Sequence, residues 1–354
     1  IDGDRDLDLL VVSDFSGVDL YQNDGRGRFT DITDSHVDER ANFGMAHTIG
    51  DFNGDGILDL YVVGMSSTTA RRLERLGLGR DDFPEHQAMR MKMAYGNRLY
   101  EGTPEHTLRH SPHADQVART GWSWGATSFD FDRDGDLDLY VGNGHVSRKS
   151  AKDYCTTFWR HDIYDASSEL DPKLNDFYLE EFQDVIDEGV SWNGFEHNKL
   201  LVNVGAAGFL EAGYPLSVAH EEDARSVIAD DLDGDGRVDL VIIRTQARAG
   251  TVAGETTDER LAIARNTSED ANHWIGVRLA SDRPWVGAHI EVTYPGGAQQ
   301  HRVVLGDSYL AQHAPGRLFG LGAHDSVTAI EVVWGDGKRS NVSAPPVDRY
   351  VTVK

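Results

Sequence analysis

The sequence predicts an all-β fold, a β-propeller of repeated blades followed by a small C-terminal β domain. Three observations predict it. An acidic loop with one fixed order of oxygen donors recurs along the first part of the chain. Short apolar runs rich in β-branched residues flank every copy. Near Asn272 the repeat stops and alternating strands separated by Gly-rich turns take over.

The loop is Asp51-Phe-Asn53-Gly-Asp55-Gly-Ile57-Leu-Asp59, repeated as Asp130-Phe-Asp132-Arg-Asp134-Gly-Asp136-Leu-Asp138 and Asp231-Leu-Asp233-Gly-Asp235-Gly-Arg237-Val-Asp239. A partial fourth copy opens the sequence. There Asp2, Asp4 and Asp8 take the third, fifth and ninth positions, Asp6 lies between them, and the first position would precede Ile1.

Strand-like runs precede the complete loops at 44–50, 124–129 and 225–229, and follow them at 59–63, 138–141 and 239–243. A third run follows in each unit, at 18–23, 97–101, 198–203 and 260–266, and a fourth short strand begins near Phe29 and Phe209. Four short strands per unit is the pattern of a propeller blade, whose faces are buried by its neighbours. The visible units number about four, so further blades are expected upstream.

Two insertions make the spacing irregular. The first, 65–96, carries helix-like stretches at Arg71–Leu76 and Met89–Met93. The second, 146–197, is rich in aromatic residues and reads as an ordered cap with a helix around Asp184. Residues 1–270 thus form the expected propeller and 271–354 the second domain, with strands expected at 273–279, 288–294, 301–305, 329–334 and 350–353.

The formal charge of −25 argues against nucleic acid or an anionic membrane as partner. The lone cysteine, Cys155, excludes an internal disulfide framework and any cysteine-based zinc site. No apolar run approaches the roughly 20 residues needed to span a bilayer.

Oxygen donors at positions one, three, five and nine, with glycine commonly at six for a sharp turn, can wrap a hard cation. Calcium suits this set because it accepts six to eight oxygens in flexible geometry. The ligands would be Asp51, Asn53, Asp55 and Asp59 with the Ile57 carbonyl; Asp130, Asp132, Asp134 and Asp138 with the Asp136 carbonyl; and Asp231, Asp233, Asp235 and Asp239 with the Arg237 carbonyl. Asp2, Asp4, Asp6 and Asp8 would serve the partial copy. Acidic turns without metal are the plainer alternative. Two carboxylates about 4 Å apart, however, repel by roughly 4 kcal/mol at an effective dielectric near 20, which disfavours an ordered loop with no cation. An ion in each complete loop would bring −25 to −19. The ninth Asp opens a strand, so the cation's role would be structural.

The loops and their flanks resemble the FG-GAP/VCBS repeat over about 1–270. The tail resembles the ASPIC/UnbV domain, through Trp274-Ile-Gly-Val-Arg-Leu279, Gly287-Ala288, Gly306-Asp-Ser-Tyr-Leu310, Phe319-Gly-Leu-Gly322 and Val333-Trp-Gly-Asp-Gly337. Together they resemble the cartilage acidic protein-like family. Gly335 departs from that pattern, which usually has proline after the Trp. The resemblance implies a calcium-binding, secreted or periplasmic protein and fixes no activity.

The function expected is therefore binding or adhesion toward a protein, a carbohydrate or a small molecule. The alternative is an enzyme acting on a small molecule, as in natural-product maturation of the enediyne type, in a pocket walled by the insertions. Its candidates are His145, Cys155 and His161, although packing explains a lone cysteine and scattered histidines more simply. Trp122 and Trp124 are expected to fill the core.

Overall fold

Apolar strands of the loop-flanked kind can be buried only by stacking small sheets against one another, and the computed structural model shows such a stack. It describes residues 1–354 apart from 5, 161–162, 164–170, 188 and 248–256. The first blade is an antiparallel sheet of β1 (Leu9–Ser13), β2 (Gly17–Asn23) and β3 (Phe29–Asp31). The second has β4 (Gly44–Gly50), β5 (Asp59–Gly64), β6 (Arg98–Gly102) and β7 (Leu108–His110) in sequential order.

The third blade begins with β8 (Ser123–Phe129) and β9 (Asp138–Asn143). An insertion carrying β10 (Ser150–Asp153) and β11 (Val190–Ser191) follows, and β12 (Lys199–Asn203) and β13 (Phe209–Glu211) complete the sheet. The fourth blade is β14 (Asp223–Asp230), β15 (Asp239–Ala247) and β16 (Thr257–Ala264). The fold is all-β and propeller-like, as the repeats predict.

Burial explains the sequence pattern strand by strand. Every residue of β5 and β9 is buried, because these middle strands are covered on both faces, and their sequences accordingly run apolar without alternation. β4, which fronts the stack, alternates buried and half-buried residues. Val18, Leu20, Val62 and Tyr100 join the first two blades. Tyr61, Val63, Leu139 and Leu201 join the second and third, and Tyr140, Leu200, Val227 and Ile242 join the third and fourth. Each such side chain contributes roughly 1.5–3 kcal/mol on burial. The leading strands approach so closely that a Cβ on Gly125 would lie 2.3 Å from the Arg225 carbonyl.

The first insertion holds helices Thr68–Arg75 and Pro84–Met93, the former capped by Ser67, whose Oγ accepts the Ala70 N–H at 3.1 Å. In the second, a helix spans Pro172–Asp187, beginning well before the Asp184 stretch that suggests it.

From His273 onward the chain forms two facing sheets. One is β17 (His273–Leu279) flanked by β20 (Gly316–Gly322) and β23 (Arg349–Val353). The other has the order β19 (Gly297–Arg302), β18 (His289–Tyr294), β21 (Ala329–Val333), β22 (Arg339–Ser343). Ile275, Val277, Ile290, Val292, Ile330, Val332 and Trp334 fill this sandwich. The strand expected at 301–305 lies earlier, at Gly297–Arg302, because the turn after Tyr294 is tight and pairs Tyr294 directly with Gly297. Residues 303–315 leave the sheet and reach the leading strands of three blades. Ser308 donates its N–H to the His47 carbonyl (2.9 Å) and its hydroxyl to that of Val227 (2.7 Å), while His313 Nε2 meets Thr127 Oγ1 at 2.7 Å.

Candidate metal centres

Each acidic loop is shaped first by hydrogen bonds to its own backbone. The fifth-position carboxylates of Asp55, Asp134 and Asp235 accept the N–H two residues on, at 2.8, 3.0 and 2.9 Å. The first-position Asp51 accepts the N–H groups of Asp55 and Gly56, and Asp231 those of Gly234, Asp235 and Gly236. These bonds curl the loop and turn the remaining lone pairs inward. Asp130, Asp132 and Asp138 bring oxygens within 4.8 Å of one another, as do Asp231, Asp233 and Asp235. Both groups could hold a metal ion.

Local chemistry fits a hard cation. Asp130 Oδ1 and Asp132 Oδ1 are shielded and have no hydrogen-bond partner among the described residues. Burial, reinforced by Asp134 and Asp132, pushes the Asp130 carboxyl well above its ordinary range, and burial does the same to Asp138. Burial pushes Asp59 up to about 7. Desolvated carboxylates packed together call for a counter-charge, which a bound cation supplies.

The sequence-predicted ligands do not all behave alike. The close groups omit Asp134 and Asp239, and the second loop, with Asn53 at its third position, assembles no comparable trio of carboxylates among the described residues. In the partial copy, Asp2 and Asp4 each accept the N–H two residues on. Ile57 and Arg237 are half-buried; the Arg237 guanidinium donates to the Ser268 carbonyl at 2.7 Å and to Asp235 Oδ2 at 3.4 Å, and Arg265 pairs with Asp233 at 2.6 Å and Asp235 at 3.2 Å, so this group of carboxylates already has cationic partners.

The ninth-position aspartate has a role that ligand spacing does not reveal. In Asp59, Asp138 and Asp239 one oxygen accepts the N–H of the loop's second residue: Phe52 (2.8 Å), Phe131 (2.6 Å) and Leu232 (3.2 Å). The other accepts an N–H at the end of the third strand, from Gly102 (2.9 Å), Asn203 (2.8 Å) and Asn266 (2.8 Å). Asp8 likewise accepts from Asn23 at 2.9 Å. Asn203 and Asn266 then donate to the carbonyls of Phe52 and Phe131 in the preceding blade, both at 2.9 Å. The recurring asparagine at the end of the third strand is the signal that marks this staple.

The C-terminal sandwich sits on the loops. Gly320 donates its N–H to Asp130 Oδ2 (3.1 Å), Tyr350 its hydroxyl to Asp231 Oδ2 (2.7 Å), and Asn272 its amide to the Asp132 carbonyl (2.9 Å). Gln300 donates to the Gly56 carbonyl and Arg133 pairs with Asp270. A Cβ on Gly320 would lie 2.0 Å from Asp130 Oδ2, so only glycine permits this approach.

His145 and Cys155 lie instead in an aromatic cluster on the insertions. His145 stacks on Trp122 at 4.4 Å and Trp124 at 5.4 Å, and burial followed by Arg225 lowers it to about 3. Cys155 is buried against Ser67, and burial pushes its thiol up, away from the thiolate a nucleophile needs. Trp122 is buried and Trp124 half-buried. His161 lies outside the described residues.

Fold and loops together define an all-β, propeller-like protein with acidic loops between blade strands and a sandwich seated on them. The FG-GAP-like repeat family matches at residues 1–62 and the ASPIC and UnbV family at 278–354, so the chain carries a match to each of these two units. The particular proteins it is similar to are cartilage acidic protein 1 of Xenopus tropicalis (26% identical over 230 residues, 60% of this chain and 34% of that protein) and of Homo sapiens (25% over 236 residues, 60% and 33%). The protein of the same name from Mus musculus is 31% identical over 114 residues, covering 31% of this chain and 16% of that one. The chain thus spans about a third of the length of the curated relatives it matches along most of its sequence. A solved structure described as a "Ca2+-stabilized adhesin" of an Antarctic bacterium covers 94% of this chain and 81% of its own at 9% identity and a TM-score of 0.12.

Proposed function

We propose that the chain is a calcium-stabilised interaction module that works outside the cytoplasm, with a propeller part at 1–270 and a separate C-terminal domain at 271–354. The observation that carries this reading is the pair of carboxylate groups, Asp130/Asp132/Asp138 and Asp231/Asp233/Asp235, at equivalent places in successive blades. A scaffold built around such groups spends its charge chemistry on holding shape and leaves its surfaces for recognition. Three features fit this role: the acidic surface, the absence among the described residues of a helix long and apolar enough to cross a membrane, and the similarity to cartilage acidic protein 1.

Binding restricted to the folded state stabilises it by mass action, about 2.7 kcal/mol at a hundredfold excess over Kd. Chelation is therefore expected to lower Tm by several degrees, with calcium restoring it, and elemental analysis is expected to find at least two ions per chain. An unchanged melt in chelator, or protein free of calcium after dialysis against it, would sink the proposal.

A further inference from the structure

The first insertion reverses the charge of the chain around it. Residues 65–96 carry six basic side chains and four acidic ones, while the whole chain stands at −25. The reversal is concentrated on one helix face. In the helix Thr68–Arg75, Ala70 is fully buried and Leu73 packs beside it on the aromatic cluster, so Arg71, Arg72, Arg75 and Leu76 line the opposite side at helical spacing. Arg72, Arg75 and Leu76 are exposed and Arg71 is half-buried. Arg72 and Arg75 make no ion pair among the described residues, and Arg71 donates to Thr68 Oγ1 at 3.2 Å. Glu74, the carboxylate of this helix, meets Arg90 instead, at 3.8 Å. Arg119, paired with Asp115 at 3.1 Å, lies close enough that its charge joins burial in lowering Arg71. Like charges three and four residues apart destabilise a helix, and a bound anion would relieve them.

The neighbours of these arginines narrow what that anion is. Leu76, Leu78 and Met89 are 68%, 43% and 41% exposed. Leu78 is fixed against the helix end, donating its N–H to the Leu73 carbonyl (2.9 Å) and accepting from Arg90 Nη1 (2.7 Å). An inorganic anion would use the charge and leave these side chains in water. An extended polyanion would reach past the patch to the acidic remainder of the molecule, beyond the screening length of about 8 Å, and be repelled there. A short peptide stays on the patch and can supply both carboxylates, which suit guanidinium forks, and apolar side chains. We infer that the exposed face of the helix Thr68–Arg75 docks an acidic peptide segment of a partner protein, its carboxylates on Arg72 and Arg75 and its apolar side chains on Leu76. This rests on the reading of the chain as an interaction module and names the chemistry of its partner.

The test is fluorescence anisotropy of a short labelled peptide of alternating Glu and Leu, titrated with the calcium-loaded full chain. An all-Glu peptide of the same charge, a Lys-Leu peptide and heparin serve as comparisons. The expected result is saturable binding of the Glu-Leu peptide that weakens with salt, and that falls roughly fivefold or more in Arg72→Gln with Arg75→Gln, since exposed charge pairs are weak singly. Both positions are exposed and glutamine keeps helix propensity, so this variant is expected to fold, with an unchanged Tm as the check. Leu76→Ser should weaken the Glu-Leu peptide and leave the all-Glu peptide as it was. Absence of binding, equal or tighter binding of the all-Glu peptide, the Lys-Leu peptide or heparin, or binding that survives the paired substitution overturns the inference. So does sedimentation showing that the chain alone forms a dimer which the paired substitution dissolves. Calcium content and melting in chelator are measured on the same samples. Calcium-loaded protein that ignores the peptide overturns the acidic-peptide inference alone, and protein indifferent to calcium that still binds it overturns the calcium reading alone.

Discussion

Asp138 and Asp132 look interchangeable by spacing, yet they carry different loads. Asp138 accepts two backbone N–H groups, whereas Asp132 presents a shielded oxygen with no partner among the described residues. Asp138→Ala should therefore cost about 2–4 kcal/mol in urea unfolding with or without chelator, since it strands two donors. Asp132→Asn should cost stability only when calcium is present. The donor spacing makes the loops legible, but it cannot reveal which carboxylate is committed to the backbone, because that depends on where the third strand ends. His145 gives a second prediction. Its folded value, near 3, lies below the ordinary 6.5, so between those values the unfolded chain binds the extra proton. Its contribution is complete above pH 6.5 and is lost as pH falls toward 3, on the order of 2 kcal/mol between pH 6.5 and 5. Urea midpoints of the wild type should fall more steeply over that window than those of His145→Leu; parallel slopes would refute it.

At the scale of elements, the strands beside each loop were readable because burial on both faces leaves long apolar runs, as in β5 and β9. β7, β20 and β22 were not. β7 is three residues long, β20 is broken by glycines, and β22 alternates exposed and half-buried residues with little apolar content. The second insertion's helix takes in the Asp184 stretch but starts at Pro172, because an aromatic-rich stretch does not show where helical pairing starts. Blade contact is a property of whole strands, and Gly125 sits where the leading strand of the third blade meets that of the fourth at the Arg225 carbonyl. Gly125→Ala is expected to cost about 1–3 kcal/mol by overpacking against Arg225, with ion content unchanged. Denaturation midpoints and elemental analysis check both halves of that statement.

Across the whole molecule, Gly320, Tyr350 and Asn272 tie the sandwich to the third and fourth blades at their acidic loops. Removing calcium should therefore loosen the seat as well as the loops. Hydrogen exchange of β20 and β23 is expected to quicken in chelator, and Gly320→Val should produce the same change with calcium present. Unaltered exchange in both would separate the seat from the metal. None of this was visible in the sequence, where the tail reads as an independent unit, since contacts between Asp130 and Gly320 span 190 residues.

The segment 303–315 adds a consequence in time. Its partners, His47, Thr127 and Val227, lie on strands that leave the ribosome long before it does. A nascent chain can stack its blades early, but the hydroxyl of Thr127 and the carbonyls that Ser308 caps must wait in water until the tail emerges. Final locking of the scaffold is thus a late event in its biogenesis, governed by residues that belong to none of the blades.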